Sequence, residues 1–169
     1  DLERTAGTLR VAAEKAGWGR KMAPGRGLGM AFHFDHGGFV SHVVEVSAAG
    51  SRIRVEKVWS GIDVGPVLNL SGARNQVEGC VVDALSTAQL EITFEGGAAV
   101  QGNFDDYGLL RSDQAPPDIE CHFIQSDFPP MGLGEPPIAP ATPAIVNAIH
   151  AATGTRIREL PLSRAGISV

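Results

Sequence analysis

The residue of this 169-residue chain best suited to acid–base chemistry is Glu135, the only carboxylate in a glycine- and proline-rich segment. Gly132 and Gly134 precede it, and glycine permits positive φ and close approach of the backbone to another surface. Pro136 and Pro137 follow and restrict the backbone as it leaves the loop. A rigid loop that presents one carboxylate is a suitable support for a general base. The alternative is a solvated loop carboxylate, which is a common role for a lone acid in such a loop.

A general base works best with a pKa near the operating pH, which for a carboxylate means a value raised toward about 6 to 7. Few charged residues flank the Glu135 loop, and Asp127 is the nearest on its amino-terminal side. We therefore expect burial in a dry pocket to supply the shift.

A helix should hold this loop in place from its carboxyl side. Thr142 is a suitable N-cap, Pro143 a suitable first helical residue and Gly154 a suitable end. The expected buried stripe has helical spacing and consists of Ala144, Ile145, Ala148, Ile149 and Ala152.

A second amphipathic helix is predicted from about Gly72 to Gln89. Its apolar residues recur every three or four positions: Val77, Cys80, Val81, Ala84, Leu85 and Ala88. The first turns carry the sequence NQVEG, which contains Gln76 and Gly79. Glycine inside a helix costs about 1 kcal/mol relative to alanine, so we expect another group to approach the backbone at Gly79. Packing of a neighbouring helix is the alternative.

The remaining elements predict an α+β fold in which hairpin-rich mixed sheet segments pack against two or three helices. A surface helix is expected over Asp1–Ala16, with a stripe of Leu2, Ala6, Leu9, Ala13 and Ala16, followed by a linker over Lys21–Gly27. β-branched and aromatic residues predict strands over Leu28–Phe34, Phe39–Ser47, Arg52–Trp59, Leu90–Phe94, Ala98–Phe104 and Asp118–Gln125. The length fits a single domain over residues 1–169.

Four polar residues near the first turn suggest a metal site, but their pattern argues against it. His33 and Asp35 would share one strand face, whereas His36 falls on the other. We therefore expect His33, His36 and His42 to be hydrogen-bonded histidines and assign no metal ligand. Cys80 and Cys121 lie far apart in apolar surroundings, which favours buried free thiols.

Composition excludes some classes of function. The net charge is −5 and the basic residues form no stripe, which argues against a nucleic-acid partner. No apolar run has the length of a transmembrane segment.

Several motifs, in order along nearly the whole chain, resemble one enzyme family. They are GRGLGMAFHFDHGGFVSHVVEV, NQVEG, NFDDYGLLRSDQAPPDIECHFIQSDFPP, and GLGEPP followed by IAPATPAIVNAIHAATGTRIRELPL. Together they resemble the C-terminal part of the large molybdopterin-binding subunit of the xanthine dehydrogenase and aldehyde oxidoreductase family. Within that family, the isoquinoline 1-oxidoreductase beta-chain type is the most similar.

The resemblance implies roles for individual residues. The glutamate of the GLGE motif corresponds to the base beside molybdenum, which is Glu135. The glutamine of the NQVEG motif corresponds to a residue facing the cofactor, which is Gln76, and Gly79, Gly132 and Gly134 would also contact it. The loop before the second helix departs from the family pattern at Val64, where many relatives have cysteine, and at Leu70, where proline is usual.

The resemblance also implies a cofactor and partners. The cofactor would be molybdenum with molybdopterin cytosine dinucleotide, and iron–sulfur clusters on a separate small subunit would carry electrons away. The substrate would be an aldehyde or an N-heterocycle. Cytoplasm and periplasm both remain open as locations.

The chain begins at Asp1 within a helical pattern, so we expect it to be part of a longer large subunit. The upstream part would complete the cofactor site, and the isolated chain would bind no cofactor tightly and be inactive. Faces that meet the missing part could pair the isolated chain as a homodimer. The alternative function is a non-catalytic assembly or ligand-binding domain of the same fold.

Overall fold

The fold is built on a four-stranded mixed sheet, described by a computed structural model that covers all residues from Asp1 to Val169. Strands β1 (Arg26–Asp35), β2 (Gly38–Ala49) and β3 (Arg52–Asp63) form an antiparallel meander. Strand β6 (Ile119–Phe123) pairs parallel to β3 and completes the order β1-β2-β3-β6. The meander has two tight turns, and the parallel pair requires a long crossover.

Helices cover both faces of this sheet. Helix α1 (Leu2–Ala16) packs on the face that carries Val43 and Trp59. Helices α2 (Leu70–Thr87) and α3 (Ile138–Thr153) pack on the opposite face, which carries Val44 and Val58. Successive strand residues point to opposite faces, so Val43 and Val44 divide the core into two layers. The predicted α+β fold, a mixed sheet with three helices, is confirmed.

The predicted stripe of α2 is confirmed, and that of α3 is confirmed except at Ala152, which is only half-buried. The α2 stripe is buried throughout, and Ala144, Ile145, Ala148 and Ile149 are fully buried in α3. Val81, Leu85 and Ala88 join these four α3 residues and Val44, Val58 and other residues of β2 and β3 in the largest hydrophobic cluster. None of the three helices combines the length and the hydrophobicity that a membrane-spanning helix requires.

Two glycines let the backbone of α3 lie directly on β1. A Cβ at Gly29 would lie 2.1 Å from the Ala148 amide nitrogen and 2.2 Å from the Ala144 carbonyl oxygen. A Cβ at Gly27 would lie 2.4 Å from the Ala148 carbonyl oxygen. Arg26 and Gly27 belong to β1, so the strand begins inside the predicted linker.

Helix α1 is present, but the predicted stripe is only partly buried: Ala16 is buried, Leu9 and Ala13 are half-buried, and Leu2 and Ala6 are exposed. Leu2 is 90% exposed, whereas Thr8, Ala12 and Ala16 are buried against the sheet. The reason is a close backbone contact: a Cβ at Gly61 would lie 2.2 Å from the Thr8 carbonyl oxygen. Only small residues fit beneath a helix at that separation.

Helix α3 begins one turn earlier than predicted, at Ile138, and Pro143 lies inside it. Thr142 is not an N-cap, since its hydroxyl donates to the Ala84 carbonyl oxygen of α2 at 3.3 Å. Proline removes one helical hydrogen bond to the residue four positions earlier. That residue, Ala139, is exposed, so water can satisfy its carbonyl group.

The second predicted hairpin is much shorter than expected. It consists only of β4 (Phe94–Glu95) and β5 (Ala98–Ala99), joined by Gly96 and Gly97. All four strand residues are exposed, and no sheet face packs on them. Hairpins without a covered apolar face do not extend far, because burial supplies most of their stability. A short 3₁₀ helix, Leu162–Ala165, lies near the carboxyl terminus.

Candidate active site

Glu135 lies at the end of the glycine-rich loop, immediately before α3. Its carbonyl oxygen accepts a hydrogen bond from the Ile138 amide at 2.9 Å, which joins the loop to the first turn of the helix. The side chain itself is 75% exposed. The expected burial in a dry pocket is therefore wrong for this chain, which leaves the carboxylate open to solvent.

The ionisable neighbours of Glu135 come from the β1–β2 turn. Nδ1 of His36 lies 3.7 Å from Oε2 of Glu135 and 3.2 Å from Oδ2 of Asp35. His36 occupies a left-handed turn position with φ 49°, so strand alternation does not determine where its side chain points. The placement of His36 on a strand face is therefore wrong. No local sequence signal connects this turn with the Glu135 loop.

The loop is held by contacts with two turns of the sheet. The Met131 amide donates to the Val64 carbonyl oxygen at 2.9 Å. A Cβ at Gly37 would lie 2.5 Å from Cε of Met131, and one at Gly65 would lie 2.5 Å from the Phe128 carbonyl oxygen. Both glycines have positive φ, so these close contacts depend on glycine.

The middle of α2 packs against the same loop. The Cys80 thiol donates to the Gly134 carbonyl oxygen, with sulfur and oxygen 3.0 Å apart. Burial raises the pKa of the Cys80 thiol, and the nearby Asp83 and Glu135 carboxylates add to the shift, so the thiol stays protonated and able to donate. Cys80 and Cys121 are both free, as predicted; Cys80 is buried, whereas Cys121 is half-buried.

Gln76 lies one turn before Cys80 and faces the same loop. Its Nε2 is 3.9 Å from the position a Cβ of Gly134 would take. The fold thus brings together Gln76, Gly134 and Glu135, three residues that the sequence analysis assigned to one site.

Gly79 and Gly132 offer open backbone. A Cβ at either position would meet no atom within 4 Å. No group of this chain approaches Gly79, so the expected close contact is not made within the chain. Gly79 borders a cavity of about 470 Å³ that also contacts Asn75 and Ser86. A second cavity, of about 300 Å³, is lined by His36, Gly132, Gly134, Glu135 and Pro136.

His42 fixes the start of α3 from the centre of the sheet. Its Nε2 lies 2.7 Å from the Pro137 carbonyl oxygen, and its Nδ1 lies 2.8 Å from the Ser60 hydroxyl oxygen. The carbonyl can only accept, so Nε2 carries the proton and Nδ1 accepts from Ser60. Burial lowers the pKa of His42 to about 4, although the Pro137 contact opposes the shift. His42 is thus a neutral, hydrogen-bonded histidine, as predicted.

A buried ion pair fixes the segment that leads to the loop. Arg4 contacts the Asp63 carboxylate through two nitrogens at 2.7 and 2.9 Å, and Ser126 donates to the same carboxylate at 2.7 Å. The Arg4 guanidinium lies 4.2 Å from the ring centroids of both Phe39 and Phe128. Burial would raise the pKa of Asp63, but the hydrogen bonds from Arg4 and Ser126 outweigh it and hold that pKa below its usual value. Sequence patterns gave no sign of this network, whose members come from four separate segments.

Comparison with known proteins identifies related sequences. Residues 5–116 match the family described as "Molybdopterin cofactor-binding domain". The chain is 32% identical over 168 residues to the beta chain of isoquinoline 1-oxidoreductase from Brevundimonas diminuta, covering 96% of this chain and 21% of the relative. It is 31% identical over 133 residues to the molybdenum-binding subunit of xanthine dehydrogenase from Escherichia coli O157:H7. That alignment covers 74% of this chain and 17% of the relative. The chain spans about a fifth of the length of the first of these relatives.

Solved structures share the fold. Quinoline 2-oxidoreductase from Pseudomonas putida 86 aligns with a TM-score of 0.65 and 23% identity, over 76% of this chain and 18% of that one. Aldehyde oxidoreductase from Desulfovibrio gigas aligns with a TM-score of 0.63 and 22% identity, over 74% of this chain and 14% of that one. The family match includes Gln76 and Gly79 but ends before Glu135.

Proposed function

The chain belongs to the molybdopterin cofactor-binding domain family, and we propose that it forms the part of a molybdenum hydroxylase large subunit that carries the catalytic base, Glu135. The observation that carries the proposal is the contact between α2 and the Glu135 loop. The Cys80–Gly134 hydrogen bond and the adjacent Gln76 amide bring the family-matched helix and the loop carboxylate to one place. A scaffold with no cofactor would not need this arrangement.

Glu135 accepts, at a carboxylate oxygen, the proton released when an aldehyde or N-heterocycle is hydroxylated. Its side chain forms no salt bridge with lysine or arginine, so no fixed cation competes for the proton-accepting oxygens. His42 and the first turn of α3 hold the backbone of the loop, which limits how far Glu135 can move. When bound, the molybdenum cofactor supplies the two-electron oxidation, and the protein supplies orientation and the base.

The residues that would hold the cofactor fit a large, polar group. Gln76 offers a neutral amide on an exposed helix face. Gly79 and Gly132 leave space where any other residue would place a Cβ, and Gly134 leaves nearly as much. We assign the cofactor the molybdopterin cytosine dinucleotide form and assign electron transfer to iron–sulfur clusters on a separate small subunit.

The proposal requires a longer parent chain, because this chain spans about a fifth of its first relative and leaves Glu135 exposed. The upstream part of the same subunit would cover the carboxylate and complete the cofactor site. The isolated 169-residue chain should therefore contain far less than one molybdenum per chain and show no turnover. Stoichiometric molybdenum in the purified chain, measured by mass spectrometry, would contradict this requirement.

The decisive experiment uses the parent enzyme assembled with its small subunit. Molybdenum content and hydroxylation of a panel of aldehydes and N-heterocycles are compared for wild type, Glu135→Gln and Glu95→Gln. Loss of a general base should lower kcat by about 10²–10⁴-fold, with molybdenum content unchanged. Glu95 lies exposed on the β4–β5 hairpin and serves as the matched carboxylate control.

Full activity in Glu135→Gln would overturn the assignment of the base. The Glu135 loop would then be structural, and a non-catalytic assembly or ligand-binding role would explain the fold better.

A further inference from the structure

Three potential metal ligands meet where the β1–β2 turn faces the Glu135 loop. Nδ1 of His36 lies 3.2 Å from an Asp35 oxygen and 3.7 Å from a Glu135 oxygen, and the ligand atoms of all three residues lie within 4.8 Å of one another. Zinc bonds to nitrogen and oxygen are roughly 2.0–2.2 Å long in tetrahedral sites, which places neighbouring ligand atoms about 3.3 Å apart. Small rotations of these side chains would close the set around one ion.

The charge of this cluster favours a cation. His36 is the only basic side chain within 4 Å of the Asp35 and Glu135 carboxylates, and neither carboxylate is paired with lysine or arginine. With a neutral imidazole, the cluster carries two negative charges and one open nitrogen ligand. A divalent cation would neutralise both carboxylates, which no protein group does.

The backbone holds the ligands near one another before any ion binds. His36 has φ 49°, and Gly37 beside it has φ 78°, so the turn is tightly defined. A Cβ at Gly37 would lie 2.5 Å from Cε of Met131. A Cβ at Gly38 would lie 3.3 Å from Cγ of Pro136. These contacts fix the distance between turn and loop, and a preorganised ligand set binds more tightly.

We propose that Asp35, His36 and Glu135 form a binding site for a divalent transition-metal cation of the zinc type. The imidazole distinguishes this site from the all-oxygen sites that magnesium and calcium prefer. The 300 Å³ cavity beside His36 and Glu135 leaves room for water as a fourth ligand. A cation here would also occupy the proton-accepting oxygens of Glu135 and inhibit turnover. Only this inhibition rests on the proposed function; metal binding itself does not.

The test is calorimetric titration of zinc chloride into the metal-free 169-residue chain. Wild type should bind one zinc ion per chain, and His36→Asn, Asp35→Asn and Glu135→Gln should each weaken binding by about tenfold or more. Asparagine tolerates the left-handed backbone at position 36, so His36→Asn should fold normally. Circular dichroism checks this.

The matched control is His33→Asn, which removes a histidine from the same strand outside the cluster and should bind zinc like wild type. Wild-type affinity in His36→Asn, or an equal loss in His33→Asn, would overturn the proposal. Failure here leaves the assignment of Glu135 as base intact, because that assignment is measured by turnover of the parent enzyme.

Discussion

The imidazole of His42 donates a hydrogen bond to the carbonyl oxygen of Pro137 at 2.7 Å, which joins the centre of the sheet to the residue where α3 begins. Pro137 lies two positions after Glu135, so this bond limits how far the proposed base can move. Pro136 and Pro137 are both buried, which adds packing to the same constraint. The carboxylate is exposed, but the backbone that carries it is anchored in the core.

Replacing this histidine should destabilise the chain. His42→Ala leaves a buried cavity and removes the partners of Ser60 and Pro137, which should lower the free energy of unfolding by about 2–4 kcal/mol. Urea denaturation followed by circular dichroism measures the loss. His33→Ala, at a half-buried position of β1, is the control and should change stability much less. Equal losses in both variants would mean that the hydrogen bond from His42 to Pro137 adds nothing to the free energy of unfolding.

His42 should also make stability depend on pH in the acid range. Burial lowers the pKa of this imidazole from 6.5 to about 4 in the folded chain. Between these values the unfolded chain binds a proton that the folded chain does not, so acid favours unfolding. The contribution is fully present above pH 6.5 and is lost as pH falls toward 4, by on the order of 3 kcal/mol. Unfolding free energies at about pH 7 and about pH 4.5 should differ less in His42→Gln than in wild type.

The Arg4–Asp63 pair gives a third prediction. Arg4→Met leaves the Asp63 carboxylate buried with only Ser126 and the Gly65 amide as partners. Removing one member of a buried ion pair costs about 3–5 kcal/mol. Thermal unfolding at neutral pH should therefore show a clearly lower midpoint. Arg10→Met, on the exposed face of the same helix, should leave the midpoint nearly unchanged.

Two glycine substitutions should act in opposite directions. Gly29→Ala forces a Cβ into the backbone of α3 and should destabilise the chain severely, because 2.1 Å is far below any real contact distance. Gly79→Ala meets nothing within 4 Å and should stabilise the isolated chain by about 0.5–1 kcal/mol through helix propensity. Urea denaturation of both variants tests the pair.

In the parent enzyme, the proposed function predicts a cost for the same Gly79→Ala change. Molybdenum content per chain should fall, because the added methyl group projects into space assigned to the cofactor. Unchanged content together with higher stability would remove Gly79 from the proposed cofactor contacts.

Local patterns in the sequence were sufficient for much of the fold. The apolar stripes of α2 and α3, the three long strands and the α+β class all follow from periodicity and turn residues, because these signals depend on neighbouring positions. The family resemblance, drawn from ordered motifs such as NQVEG and GLGEPP, is confirmed by the family match. The roles of Gln76 and Glu135 remain predictions.

Tertiary structure decided what surrounds the site. His36 and Asp35 reach Glu135 only because a left-handed turn and a distant loop pack together, and strand alternation had placed His36 on the wrong face. The face that α1 buries is set by its close contact with Gly61. That contact turns Thr8 toward the sheet and leaves Leu2 exposed. A sequence determines local periodicity directly, whereas contacts between distant segments depend on how all the elements pack at once.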